Sequence, residues 1–182
     1  MNATRTLQVT TPSATEIVMT RTFDAPRRLV FDAFTKPELI RRWIGRQGDE
    51  MTVCDVDLRV GGAYHYAWHL RSDEPGRRDE AGMGGTFREI GRFREIDPPE
   101  RVVCTESFDD YPGETLISTT FVERDGRTTM TATCVYQSRE VRDAVLASDV
   151  ESGAGESYDR LAELLRSLQS RAASSVPSHH GA

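Results

Sequence analysis

The segment YHYAWHL, residues 64–70, gathers the side chains best equipped to hold a small molecule. Strand alternation puts Tyr64, Tyr66, Trp68 and Leu70 on one face and His65, Ala67, His69 and Arg71 on the other. The aromatic face is expected to point inward. As plain core it contributes burial, on the order of 2–3 kcal/mol per ring. As a cavity wall it also offers two phenol hydroxyls and an indole NH to a bound molecule. Three successive inward residues with polar tips, where a core would prefer Leu, Ile and Val, tilt the reading toward the cavity. Two His four apart in a strand lie about 13 Å from each other, too far to share a metal ion directly. His65 and His69 are therefore expected on the solvent side.

Other candidates are sparser. In RVVCTESF, Glu106 shares strand parity with Cys104 and Phe108, so it either projects inward as an acid of raised pKa or sits in solvent near a strand end. In the last hairpin, Ile117, Thr119 and Phe121 are expected to face inward opposite Met130, Ala132, Cys134 and Tyr136. There is no GxSxG, HExxH, P-loop or GxGxxG, and GMGG (82–85) has neither the lysine nor the following helix that would cradle phosphate. Cys54, Cys104 and Cys134 are odd in number, far apart and inside strand-like runs, so they read as buried reduced thiols rather than a disulfide or metal framework. His179 and His180 lack a third ligand. No cofactor and no metal site is expected.

The elements that must position these residues follow from periodicity. TEIVMTRTFD (15–24) alternates as a strand, and APRRLVFDAF reads as a helix with Asp24 at its N-cap, Pro26 in its first turn, and Leu29, Val30, Ala33 and Phe34 on one face. A short helix, Pro37 to Trp43, ends at Gly45. About six strands follow from residue 51, and Asp125-Gly126 marks the tightest hairpin. A short helix opens at Ser138. A long one runs from about Asp149 to Gln169, with Ala154, Tyr158, Leu161, Leu165 and Leu168 on its apolar stripe. FREI recurs at 87–90 and 93–96, a shift that keeps side chains on the same faces of an uninterrupted strand. Consecutive strands closed by a long helix indicate an α+β fold, an antiparallel sheet gripping a helix.

Composition narrows the class. The 182 residues suit one domain, 15–169, between mobile tails at 1–14 and 170–182. The net charge of −6 and scattered basic residues oppose nucleic-acid binding, and no apolar run approaches the roughly 20 residues of a membrane span. Without the basic and apolar start of a secretory signal, a cytoplasmic location is expected.

The strings IVMTRTFDAPRRLVFDAFTKPELIRRWIG, DLRVGGAYHYAW, REIDPPERVVCTESFDD, YPGETLISTTFVERDGRTTMTATCVY and SREVRDAVLASDVESGAGESYDRLAELL, in that order over 15–168, closely resemble the domain of activators of the heat-shock protein ninety ATPase, in the START-like (SRPBCC, Bet v 1-like) superfamily. The resemblance implies a helix-grip fold with two short helices after the first strand. It also implies an elongated cavity that takes apolar molecules such as lipids or polyketides. Matching positions imply that Trp43, Tyr64, Tyr66, Trp68, Phe121, Met130, Tyr136 and Tyr158 line or close that cavity, joined by Phe87, Glu106 and Phe108. No shared catalytic residue carries over. The second FREI copy departs from the family pattern, and so does the lack of the separate N-terminal domain through which the eukaryotic activator meets its partner.

Three functions compete: a carrier or sensor of a small hydrophobic or aromatic molecule, an enzyme of polyketide cyclase or hydrolase type with Tyr64, Tyr66 or Glu106 as acid or base, and a chaperone ATPase co-factor. A homodimer is compatible with the resemblance, since superfamily relatives often pair. Trp43, between Arg41 and Arg42 and Gly45, is either the lid of the cavity or a core anchor of the second short helix.

Overall fold

The computed structural model describes residues 6–45, 48–69, 85–108, 111–148 and 150–174, with only the backbone described at Phe108, Tyr111 and Pro112. Leu70, most of the GMGG stretch and the His179–His180 pair lie outside these residues. Among the described residues one antiparallel sheet contains eight strands: β1 (Gln8–Thr10), β2 (Glu16–Phe23), β3 (Glu50–Val56), β4 (Ala63–His69), β5 (Thr86–Asp97), β6 (Arg101–Phe108), β7 (Tyr111–Arg124) and β8 (Arg127–Val135). Their order is β1-β2-β8-β7-β6-β5-β4-β3. Helices α1 (Arg27–Thr35) and α2 (Pro37–Ile40) join β2 to β3, and α3 (Arg139–Ala147) and the long α4 (Val150–Ser174) follow β8. This is the helix-grip arrangement: a curved sheet meanders from β3 to β8, and β2 closes beside β8.

The β7–β8 hairpin is the most legible part. Asp125 and Gly126 have φ of 51° and 70°, the left-handed pair a two-residue primed turn requires. That turn fixes the expected inward pairs Ile117↔Cys134, Thr119↔Ala132 and Phe121↔Met130. Ser138 caps α3 by accepting from the Val141 amide at 3.3 Å. The apolar stripe of α4 lies on the sheet, with Tyr158, Leu161, Leu164 and Leu165 buried and Ala154 and Leu168 packed beside them.

Four expectations are corrected. Residues 8–10 belong to the sheet: Val9 pairs with Met19, and the Leu7–Val9 alternation was too short to stand out from the surrounding Ser and Thr. Helix α4 runs five residues past Gln169, where the Ser170 and Ser174 hydroxyls donate to carbonyls one turn back. Asp24 does not cap α1; Pro26 holds that position, while Asp24 takes the Arg127 guanidinium at 2.8 Å. Helix α2 stops at Ile40, and residues 41–43 form a turn.

Polar ties fix α4 across the sheet. Arg21, buried on β2, donates to Asp159 at 2.6 Å; Arg160 donates to the Trp43 carbonyl at 3.1 Å and Ser157 to that of Gly45 at 2.9 Å. Around these ties Phe34 lies 4.8 Å from Trp43 and 5.2 Å from Phe121, and Trp43 stacks on Tyr158 at 5.8 Å. Trp43 is 4% exposed, and its indole NH donates to the Ala33 carbonyl at 2.9 Å. Its described contacts are thus those of an anchor joining α1, the α2 turn and α4. Trp43→Ala is expected to lower unfolding free energy in urea by about 3–5 kcal/mol; a loss below about 1 kcal/mol would contradict the anchoring role.

Candidate functional site

Strands β4, β5 and β6 carry the polar part of the interior. Their register sets Trp68 against Phe87, Tyr66 against Glu89, and Tyr64 against Gly91, with Gly91 in turn against Glu106. Glu89 and Glu106 therefore stand diagonally across adjacent strands on the inner face, near enough to hydrogen-bond one another. The Tyr64 hydroxyl donates to Glu106 Oε2 at 2.9 Å and lies 3.7 Å from the Cys104 sulfur.

Glycine makes this geometry accessible. A Cβ on residue 91 would fall inside the Tyr64 ring, so only glycine lets that ring lie flat across β5 and carry its hydroxyl to Glu106. The rings continue the row: Tyr64 stacks on Tyr66 at 4.9 Å, Tyr66 meets Trp68 edge-on at 6.0 Å, and Trp68 meets Phe87 at 5.7 Å.

The electrostatics follow from burial. Removal from water pushes the Glu106 carboxyl up to about 7, against hydrogen bonds from Tyr64 and Glu89 that pull the other way. Burial, and then the neighbouring Glu106 charge, raise Glu89 well above the usual carboxylate range. Two hydrogen-bonded carboxylates in such a setting share a proton. Burial and the same acids raise Tyr64, and hold the Cys104 thiol up at about 12, so neither is a ready nucleophile. No cationic side chain among the described residues is paired with Glu89 or Glu106. Both nevertheless keep partial exposure, as do Phe87 and Cys104, whereas Phe121 and Met130 further along the sheet are sealed.

The expected pocket residues thus fall into two groups. Tyr64, Tyr66, Trp68, Phe87 and Glu106 surround the acidic pair. Trp43, Phe121, Met130 and Tyr158 belong to the sealed cluster under α1 and α4. Tyr136 is half-buried and hydrogen-bonded to Cys134, and the Phe108 side chain lies outside the described residues. Glu106 takes the inward option. Glu89 escaped the sequence reading, although it shares parity with Phe87 in the first FREI copy. His69 is exposed, but His65 is half-buried with its Nε2 enclosed, because the β3 and β5 side chains flank it on the outer face. A recess of about 520 Å³ at the β3 edge is lined in part by Cys54, Val56, Tyr64 and His65, and another of about 560 Å³ opens between β2 and α4 at Arg21 and Asp159. Among the described residues, no three His, Cys, Asp or Glu side chains converge as metal ligands, and no helix is long and apolar enough to cross a membrane.

A sheet gripping a C-terminal helix, with acids and rings on its inner face, defines a START-like domain. The chain belongs to the family described as Activator of Hsp90 ATPase homolog 1-like protein, which matches residues 24–166. A crystal structure from Rhodobacter sphaeroides is 30% identical, with a TM-score of 0.77 over 89% of this chain and 99% of that one. Protein Ms6760 from Mycobacterium smegmatis is 23% identical, with a TM-score of 0.72 over 88% and 99%. DynU16, a protein of the dynemicin biosynthetic locus, shares the fold at 18% identity and a TM-score of 0.58, over 85% of this chain and 48% of its own. No curated protein matches the sequence.

Two measurements probe the site. The folded Glu106 carboxyl keeps its proton to about pH 7, the unfolded one only to about 4.5. Between those values the folded carboxyl binds more protons, so the Glu106 contribution to unfolding free energy falls as pH rises through the window and is lost above it. Glu106→Gln should flatten that fall, gaining about 1–3 kcal/mol on the parent between the two ends in urea titrations; parallel curves would refute the raised carboxyl. Gly91→Ala should displace Tyr64 and cost about 1–3 kcal/mol, with a tyrosine absorbance change marking the lost bond to Glu106.

Proposed function

We propose that this protein binds a small hydrophobic or aromatic molecule between the sheet and its gripping helix, as a carrier or sensor. The observation that supports it is the division of the interior. One end is sealed by Phe121, Met130 and Trp43, while at the other Phe87, Glu89, Cys104 and Glu106 stay partly accessible on an inward face. A core built for stability alone would exclude carboxylates or pair them. A binding site tolerates them because a few convergent polar groups in apolar walls orient a ligand. Membership in a START-like family and a fold neighbour encoded in a biosynthetic locus agree with this reading.

The acidic pair supports a second reading, an enzyme in which Glu106 acts as general acid or base near neutral pH. For that reading, turnover of a cyclic polyketide-like substrate should fall at least about tenfold in Glu106→Gln, whose amide keeps the shape but moves no proton.

The binding reading is tested by melting the protein with a broad panel of apolar aromatic compounds. Ligands present at about 100 times their Kd should stabilise the fold by about 2.7 kcal/mol, read as a rise in Tm. Trp68→Ala should weaken the response. No shift with any compound would sink the proposal.

A further inference from the structure

The inner face also specifies the polar end of the ligand, an inference that rests on the binding reading above. Glu89 and Glu106 form a hydrogen-bonded pair whose only other described side-chain partner is the Tyr64 hydroxyl, a neutral donor. Once Glu106 gives up its proton, near pH 7, the pair holds one proton and one negative charge, and the described residues pair no cation with it. Facing Glu89 across the β4–β5 register is Tyr66, 6% exposed, whose hydroxyl makes no hydrogen bond among the described residues. The next inward residue, Trp68, is 4% exposed, and its buried indole NH has no partner among the described residues. The interior therefore offers unpaired negative charge, an idle hydroxyl and a row of ring faces within one patch.

We propose that the ligand is an aromatic or otherwise apolar molecule bearing a protonated amine, whose ammonium group sits against Glu89 and Glu106 with the Tyr66 hydroxyl as a third acceptor. An ammonium carries three donors and no acceptor, which matches two carboxylates and a phenol oxygen. The stacked rings of Tyr64 and Tyr66 add ring faces that attract a cation. A carboxylate-bearing ligand would meet like charge. A neutral carbonyl would satisfy Tyr66 or Trp68 but leave the acidic pair uncompensated.

Three matched probes separate these cases: 2-naphthylmethylamine, 2-naphthylmethanol and 2-naphthoic acid, titrated calorimetrically at neutral pH into the full chain. The amine should bind about tenfold more tightly than the alcohol, and the acid most weakly. In the Glu89→Gln/Glu106→Gln double variant, checked for folding by circular dichroism, that advantage should vanish while alcohol binding persists. Equal or tighter binding of the alcohol or the acid would overturn the amine assignment and leave the binding reading intact. Survival of the amine's advantage in the double variant would also overturn it. Failure of all three probes to bind would overturn the amine assignment, while the broad panel of aromatic compounds decides the binding reading separately.

Discussion

Two carboxylates with no cation among the described residues paired to them, Glu89 and Glu106, meet on the inner face of the sheet, and the surrounding structure is arranged to bear that cost. Taking an isolated carboxylate out of water is expensive enough that such groups pick up protons instead. Here the charge is shared, and Tyr64 adds a hydrogen bond at 2.9 Å. That bond depends on Gly91, since any side chain there would lift the phenol off the strand. One backbone choice on β5 thus decides whether the acids on β5 and β6 have a donor.

The stabilising free energy lies elsewhere. Phe31, Phe34, Trp43, Phe121 and Tyr158 interlock at centroid distances of 4.8–6.3 Å, joining α1, the α2 turn, β7 and α4. Hydrogen bonds from Arg21, Ser157 and Arg160 tie the helix to the same region. The interior therefore separates into a sealed end that holds helix to sheet and a polar end with residual access. Such a division lets the acidic end depart from ideal packing without loosening the grip, as expected where a functional site departs from local rules and the rest of the fold compensates.

Much of this was legible in the sequence because period and turn chemistry act locally. The Asp125-Gly126 turn fixed the register of β7 on β8, and the four-three spacing of Ala154, Tyr158, Leu161, Leu165 and Leu168 identified the face of α4. The inward face of β4 followed from alternation alone. The division of the aromatics did not, because Trp43 and Trp68 look alike as sequence and are separated only by three-dimensional neighbours: one gives its NH to Ala33, and the other finds no acceptor among the described residues. Asp24 leaves the expected cap position for the same reason, its partner Arg127 being distant along the chain.

The repeated FREI shows how one irregular residue decides the chemistry. In an unbroken strand Phe87, Glu89, Gly91, Phe93 and Glu95 would all face inward, giving three acids together with Glu106 of β6. The register with β6 instead slips between Phe93 and Glu95. Beyond this bulge the faces exchange: Glu95 turns out to meet Arg101 at 3.1 Å, and Ile96 packs on the core, whereas Ile90 of the first copy is 51% exposed. The two copies are identical in sequence, and their Glu and Ile residues lie on opposite faces. By turning the third carboxylate into solvent, the bulge limits the interior to a pair that one shared proton and one tyrosine can sustain. A longer acidic row would need either more protons or a cation supplied by the protein itself, and either would alter what that face could recognise.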